Sequence, residues 1–315
     1  MKLNDDKIKE IAGFYVMNGE ARTMESYGLK LETLNRYLRG AKKFGFDRKA
    51  SDLAKIAEMY TASELKVLTK GKTGMEGQRA HVHDFKGEVY RIGFGTDPHL
   101  GSKYTNPDHV KQMFDEFDRC KVDSVMLTGD ISEGLSNRAG HVYECTHVGY
   151  DAQKEHSIDV LSQWDTTPLY MIDGNHDRWY HKTNGALIVK DICEALPNAE
   201  FIGHDEGDII VNGVKIKLWH GEDSSSYAIS YRLQKLIESF SGGEKPHLLL
   251  TGHTHKMGYF QIRNVHCVSG GSIQMQSKWM RGKKIAAHTG FWVLEVVIND
   301  SGIGRLKTEW FPFYA

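Results

Sequence analysis

Asn175, His176 and Asp177 follow Gly174 in direct succession and offer an amide oxygen, an imidazole and a carboxylate. These are the ligand and acid–base types that hydrolytic metal sites use. Four other stretches carry the same types: Asp97-Pro98-His99, Gly129-Asp130, His220-Gly221 and Gly252-His253-Thr254-His255. Asp97 and His99, two apart, can converge on one ion where an extended run gives way to a loop. Each piece alone has an ordinary reading, since Asp after Gly is commonly a turn or a helix cap. Five such pieces in this order are not explained by local turn chemistry.

What precedes each piece is as informative as the piece itself. Val89–Phe94, Val125–Leu127, Pro168–Ile172, Val214–Trp219 and Leu248–Leu250 are short apolar runs with the look of buried strands. Every one of them delivers a candidate ligand just past its carboxyl end, often through a glycine. Open α/β sheets place their sites at that edge. Trp292–Ile298 and Leu306–Phe313 read as closing antiparallel strands.

The ordered motifs DxH, GD, GNHD, H and GHxH resemble those of the calcineurin-like metallophosphoesterases, over roughly residues 85 to 300. That superfamily includes recombination-repair nucleases, cyclic-nucleotide phosphodiesterases and Ser/Thr phosphatases. The resemblance implies an α/β fold, a four-layer αββα sandwich, holding two divalent metal ions. It implies that Asp97, His99 and His255 bind the first and that Asn175, His220 and His253 bind the second, with Asp130 bridging. His176 would stand beside them as a catalytic histidine that binds no metal and assists the leaving group, while a hydroxide between the ions attacks in line. Mixed oxygen and nitrogen donors suit Mn, and also Fe or Zn, better than Ca or Mg. Asp177 and Glu133 are both candidates to orient His176. A dead-site scaffold would lack several ligands, whereas every expected type is present here.

The front of the chain has a different character. Residues 5–18 carry Ile8, Ile11, Phe14, Tyr15 and Met17 at helical spacing, Asn18-Gly19 stops the run, and a second helix fits 20–26. After a turn at Tyr27-Gly28, a third helix is expected over 29–43, with Leu31, Leu34, Tyr37 and Leu38 on one face. That helix carries Lys30, Arg36 and Arg39 among its basic residues, with Lys42 and Lys43, against one acid, Glu32. The segment resembles the helix-turn-helix of phage and bacterial DNA-binding proteins, with Met24 where a small residue is usual. A basic second helix suits the major groove and its flanking phosphates. Another helix is expected over 49–69, then a Gly- and Lys-rich linker over 70–77. The expected organisation is a small all-α helix-turn-helix domain (1–50), a connecting segment (51–84) and a metallophosphoesterase domain (85–315).

Composition narrows the partners. The 315 residues include 40 basic and 41 acidic side chains, a net charge of −1, so nucleic-acid affinity must come from local patches. The polar start has no signal-peptide core, and no apolar run approaches the roughly 18–20 residues of a membrane span. The four cysteines form no CxxC pair. A cytoplasmic protein without a membrane partner is expected, and a homo-oligomer is compatible with the sequence. The second motif lacks the Asp-Arg pair of the protein phosphatases, which favours phosphodiesters. Lys278, Trp279 and Arg281 lie in a basic run with an aromatic, and Arg178 begins a similar run beside the GNHD motif. Basic residues track a phosphate backbone, and an aromatic stacks on an exposed base. DNA is therefore the expected substrate, with small phosphate esters such as nucleotides as the alternative. An insertion over 135–163 is expected to form a helical lid, its extra histidines serving no further metal site.

Overall fold

The computed structural model describes residues 4–46, 80–222 and 228–314. The chain separates into two compact units, with the division between Glu76 and Gly77. The expected helix over 49–69 and the linker over 70–77 lie outside the described residues.

In the first unit, α1 (Asp5–Tyr27) begins at Asn4, whose side chain accepts from the Asp6 N–H at 2.9 Å. Gly19 leaves helical geometry at φ 78° and ψ −178°, so the expected stop is a kink between two helical segments. Gly28 ends the second segment in the left-handed conformation, φ 59°, and Leu29 N–H donates back to the Met24 carbonyl. Then comes α2 (Leu31–Ala41), shorter than expected, with Lys30 standing before it, followed by a 3-10 turn over Lys42–Phe44. Ile8, Ile11, Ala12 and Tyr15 of α1 pack on Leu34, Leu38 and Ala41 of α2, with Met24 partly buried against them. Leu31, expected on this face, is exposed because it opens the helix.

The second unit holds two six-stranded sheets among the described residues. One runs β1 (His81–His83), β6 (Glu206–Val211), β7 (Val214–Trp219), β8 (Leu248–Thr251), β10 (Val265–Gly270) and β9 (Met257–Ile262). The other runs β12 (Gly302–Pro312), β11 (Gly290–Asn299), β2 (Val89–Gly95), β3 (Ser124–Thr128), β4 (Leu169–Asp173) and β5 (Ala199–His204). β2 to β5 are mutually parallel, as are β7 and β8, while β11 and β12 close one edge antiparallel. β1 joins its sheet upstream of residue 85.

Alternation along each strand builds the layers. Met126, Tyr170, Ile172, Leu248 and Leu250 face the core between the sheets, with Ile216 and Leu218. Their neighbours Val125, Leu127, Leu169 and Met171 face outward, under α3 (Pro107–Cys120), α4 (Tyr150–Leu161) and α6 (Ile188–Ala195). On the opposite side Leu249 and Cys267 meet Leu233 and Ile237 of α7 (Ile229–Ser239). The result is a four-layer αββα sandwich. Strands buried on both faces read as unbroken apolar runs, which is why they stand out in the sequence. The insertion contributes a 3-10 turn (His141–Glu144) and α4. Two short helices complete the frame, α5 (Arg178–Asn184) and α8 (Lys278–Gly282).

Candidate metal centre

Parallel strands in both sheets end at the same edge, and their loops interlock. His99 N–H donates to the Asp130 carbonyl at 2.9 Å, and Asp97 N–H to the Gly129 carbonyl at 3.2 Å. His253 N–H donates across the sandwich to Asp97 Oδ2 at 2.9 Å. Close approach requires glycine at the turns: a Cβ on Gly174 would collide with Asp130 Oδ1, and one on Gly252 with Thr96 Oγ1. Asp97, His99, Asp130, His253 and His255 all take left-handed backbone angles, φ from 46° to 68°. Such residues are strained by roughly 1–3 kcal/mol each and cluster at functional sites.

The side chains form two separate groups, and His99 also stands with Glu133 and His176 in a third. Asp97, His99 and His255 bring ligand atoms within 4.8 Å of one another, as do Asp130, His220 and His253. His255 Nε2 lies 3.2 Å from Asp97 Oδ1, and His99 Nε2 lies 3.8 Å from the same oxygen. Asp130 Oδ2 stands 3.3 Å from His220 Nε2 and 3.7 Å from His99 Nε2, so it faces both groups. Asn175 Oδ1 is 2.9 Å from His220 Nε2. All seven side chains named from the sequence thus gather at one place.

Second contacts aim these ligands. Asp97 Oδ2 accepts from Thr96 Oγ1 at 2.6 Å and from His253 N–H, leaving Oδ1 for the centre. Asp130 Oδ1 accepts from His176 N–H at 2.8 Å, leaving Oδ2. His220 Nδ1 donates to the Thr128 carbonyl at 2.8 Å, which turns Nε2 inward. Asp97 Oδ1 and His99 Nε2 are buried and make no hydrogen bond. A carboxylate oxygen and an imidazole nitrogen that face each other in this way fit a divalent cation between them.

Protons compete for the same atoms. Burial pulls both histidines down, but Glu133 holds His99 up at about 9 and Asp130 holds His220 up at about 10. Burial would raise Asp97, yet His255 draws its carboxyl down to about 2. His176 behaves oppositely: burial, only partly offset by Asp130, lowers it to about 4. Its Nδ1 donates to the Glu133 backbone carbonyl at 2.7 Å, so a neutral ring presents Nε2. Neither carboxylate expected to orient it does so directly. Asp177 instead accepts from the N–H groups of Ile131, Ser132 and Gly174 and from Ser132 Oγ, tying two loops together.

The centre opens into a cavity of about 620 Å³ lined by Asp130, Asn175, His176, Trp179, Arg138 and Trp279 among others. Trp279 is 45% exposed at its wall, with the Arg138 guanidinium 6.0 Å from its ring centroid. Trp179 packs on the His176 ring, centroids 3.9 Å apart. Lys278 and Arg281 share α8 with Trp279 but are exposed outside the lining. Arg178 is turned elsewhere. Its guanidinium is shared among Asp173, Asp205 and Glu222 at 3.0, 3.3 and 2.5 Å, so it braces the loops around the site instead of facing a phosphate. Lys256, Gln274 and Arg232 also line the cavity and were not singled out from the sequence. Lys256 follows the last motif directly, whereas nothing local marks the other two.

The chain belongs to the calcineurin-like phosphoesterase superfamily, whose domain matches residues 90–289. It is similar, at 22% identity, to the DNA polymerase II small subunit of Methanothermobacter thermautotrophicus, over 69% of this chain and 53% of that protein. The chain therefore spans about half the length of that relative. Among solved structures it is similar to an archaeal phosphodiesterase (14% identity, TM-score 0.42, covering 70% of this chain and 99% of the other). It is also similar to Yfce, a phosphoesterase from E. coli (16% identity, TM-score 0.38, covering 69% and 98%). Among the described residues no helix is long and apolar enough to cross a membrane.

Because His99 and His220 are held protonated, an arriving cation must displace protons. Apparent affinity should therefore rise with pH from 7 until it passes about 9 to 10. Calorimetric titration with Mn at pH 7 in buffers of different ionisation enthalpy should register proton release. Buffer-independent heats with a pH-independent affinity would contradict this electrostatic picture.

Proposed function

We propose that the protein is a binuclear-metal phosphodiesterase acting on DNA, a nuclease. The observation that carries this reading is the meeting of two ligand groups at Asp130, at the base of a cavity walled by Trp279, Trp179 and Arg138. In this reading Asp97, His99 and His255 would hold one ion and Asn175, His220 and His253 the other, with Asp130, whose Oδ2 faces both His99 and His220, available to both. Mn suits the donors, with Fe or Zn as alternatives. Bound there, such ions supply a nucleophile from water at neutral pH and offset charge on the phosphoryl oxygens.

The chain's own residues do the rest. Arg138, paired with Glu144 at 2.8 Å, stands at the wall beside Trp279, whose half-exposed ring offers a face on which a base can stack. His176 is neutral at rest, with Nε2 available. It would take up the proton released by the attacking water, with Asp130 and Glu133 stabilising the charge, and pass that proton to the departing oxygen.

The first unit tethers the enzyme to duplex DNA in this reading. Its kinked α1, the left-handed turn at Gly28 and α2 supply the parts of a helix-turn-helix, and Lys30, Arg36 and Arg39 are exposed. The organisation remains a DNA-binding segment over 1–50, a connection over 51–84 and a catalytic domain over 85–315, whose sheet β1 extends upstream. The likeness to a DNA polymerase small subunit supports a nucleic-acid partner. A second reading, hydrolysis of small nucleotides, is favoured by the cavity itself, since about 620 Å³ falls within the range of small-molecule sites.

Linear, nicked and single-stranded DNA should be cleaved with Mn, alongside bis-(p-nitrophenyl) phosphate. His176→Ala should lower kcat on the diester by roughly 100- to 10,000-fold while metal content stays unchanged. Turnover confined to nucleoside monophosphates would leave the second reading and end the first. Replacing Lys30, Arg36 and Arg39 by Ala should weaken duplex binding, and flatten the log–log salt dependence by about 0.9 for each phosphate no longer neutralised. Hydrolysis of the small diester should not change. An unaltered salt slope would remove the tethering role.

A further inference from the structure

One residue of the insertion over 135–163 reaches the centre from behind. His141 opens a 3-10 turn and is 1% exposed. Ser136 N–H donates to its Nδ1 at 3.1 Å, and a backbone amide can only donate. Nδ1 is therefore unprotonated, and the ring hydrogen sits on Nε2, which donates to Glu133 Oε1 at 2.9 Å. The other oxygen, Glu133 Oε2, accepts from Gln274 Nε2 at 3.0 Å and lies at ion-pair distance, 3.1 Å, from His99 Nδ1, a contact without hydrogen-bond geometry. Trp179 closes the far side of His141, edge to face at 5.4 Å. A continuous line of contacts thus runs from the insertion, through one buried carboxylate, to a ligand candidate of the first group.

Among the described residues the second group has no such link to the insertion. His220 is aimed by the Thr128 carbonyl at the end of β3, part of the sheet itself. The two halves of the centre are therefore braced differently, one by the fold's core and one by an inserted loop.

We infer that His141 is a positioning residue for the ion held by Asp97, His99 and His255. It fixes the Glu133 carboxylate, which holds the His99 ring with Nε2 turned toward Asp97 and Asp130. This rests on the binuclear reading above. Partners that orient a metal-binding histidine are typically worth about 10- to 100-fold in metal affinity. His141 acts through one intervening carboxylate, so the lower end, about 10-fold, is expected. The weakening should fall on one ion alone.

Mn titration of the full-length chain, read by calorimetry and by the electron paramagnetic resonance of free Mn, tests this directly. The wild type should bind two ions. His141→Ala should keep one at wild-type affinity and weaken the other about 10-fold. His141→Gln, whose amide can still donate to Glu133, should recover most of the loss. His156→Ala, on α4 of the same insertion and stacked on His147, should change nothing. If His141→Ala does not fold, Glu133→Gln serves instead and should weaken the same single site. Unchanged affinities, equal weakening of both ions, or a Gln variant as poor as Ala would overturn the inference while leaving two ions in the wild type. A wild type that binds fewer than two ions would overturn the binuclear reading and this inference with it.

Discussion

The Asp130 carboxylate is the constraint around which the second unit is arranged. Buried charge is tolerated only when paired, and here one carboxylate faces histidines from two groups at once. Oδ1 is spent on the His176 backbone, so Oδ2 alone looks toward both His99 and His220. Asp97 repeats the device, with one oxygen tied to Thr96 and His253 and the other turned inward. Two like charges brought this near each other need cations, whether protons on histidine or metal ions. The raised proton affinity of His99 and His220 is that need expressed without metal.

Holding so many ligand atoms together bends the backbone. Five of the candidate ligands adopt left-handed angles, and the glycines at the turns have no room for a side chain. Such strain persists only where the surrounding structure over-determines it. The supports are visible: parallel strands fully buried on both faces, cross-sandwich hydrogen bonds, and Arg178 with its three carboxylates bracing the outer loops. The sandwich core is therefore what makes the centre possible.

Much of this was legible in the amino-acid order, for a physical reason. A strand buried on both faces must be apolar throughout, so Val125–Leu127 or Leu248–Leu250 stands out, and the ligand just past it falls at the sheet edge. What stayed hidden was contact between distant residues. Glu133 and Gln274 are 141 positions apart, and nothing local says that they meet. His141 could not be told from a solvated histidine until the turn that buries it was seen. Arg178 misled because composition beside a motif does not reveal which way a side chain turns. Asp177, one of the two candidates to orient His176, is held to the loops by four donors. In the first unit, the expected break at Gly19 between two helical segments is present as a kink, since a single non-helical residue can leave the turns on either side intact.

The binuclear reading proposed above requires that one carboxylate be shared by two cations. Anomalous diffraction from crystals grown with Mn measures it most directly. Two peaks about 3.5–4 Å apart, both within bonding distance of Asp130, are expected. A single peak, or two that do not share Asp130, would contradict it.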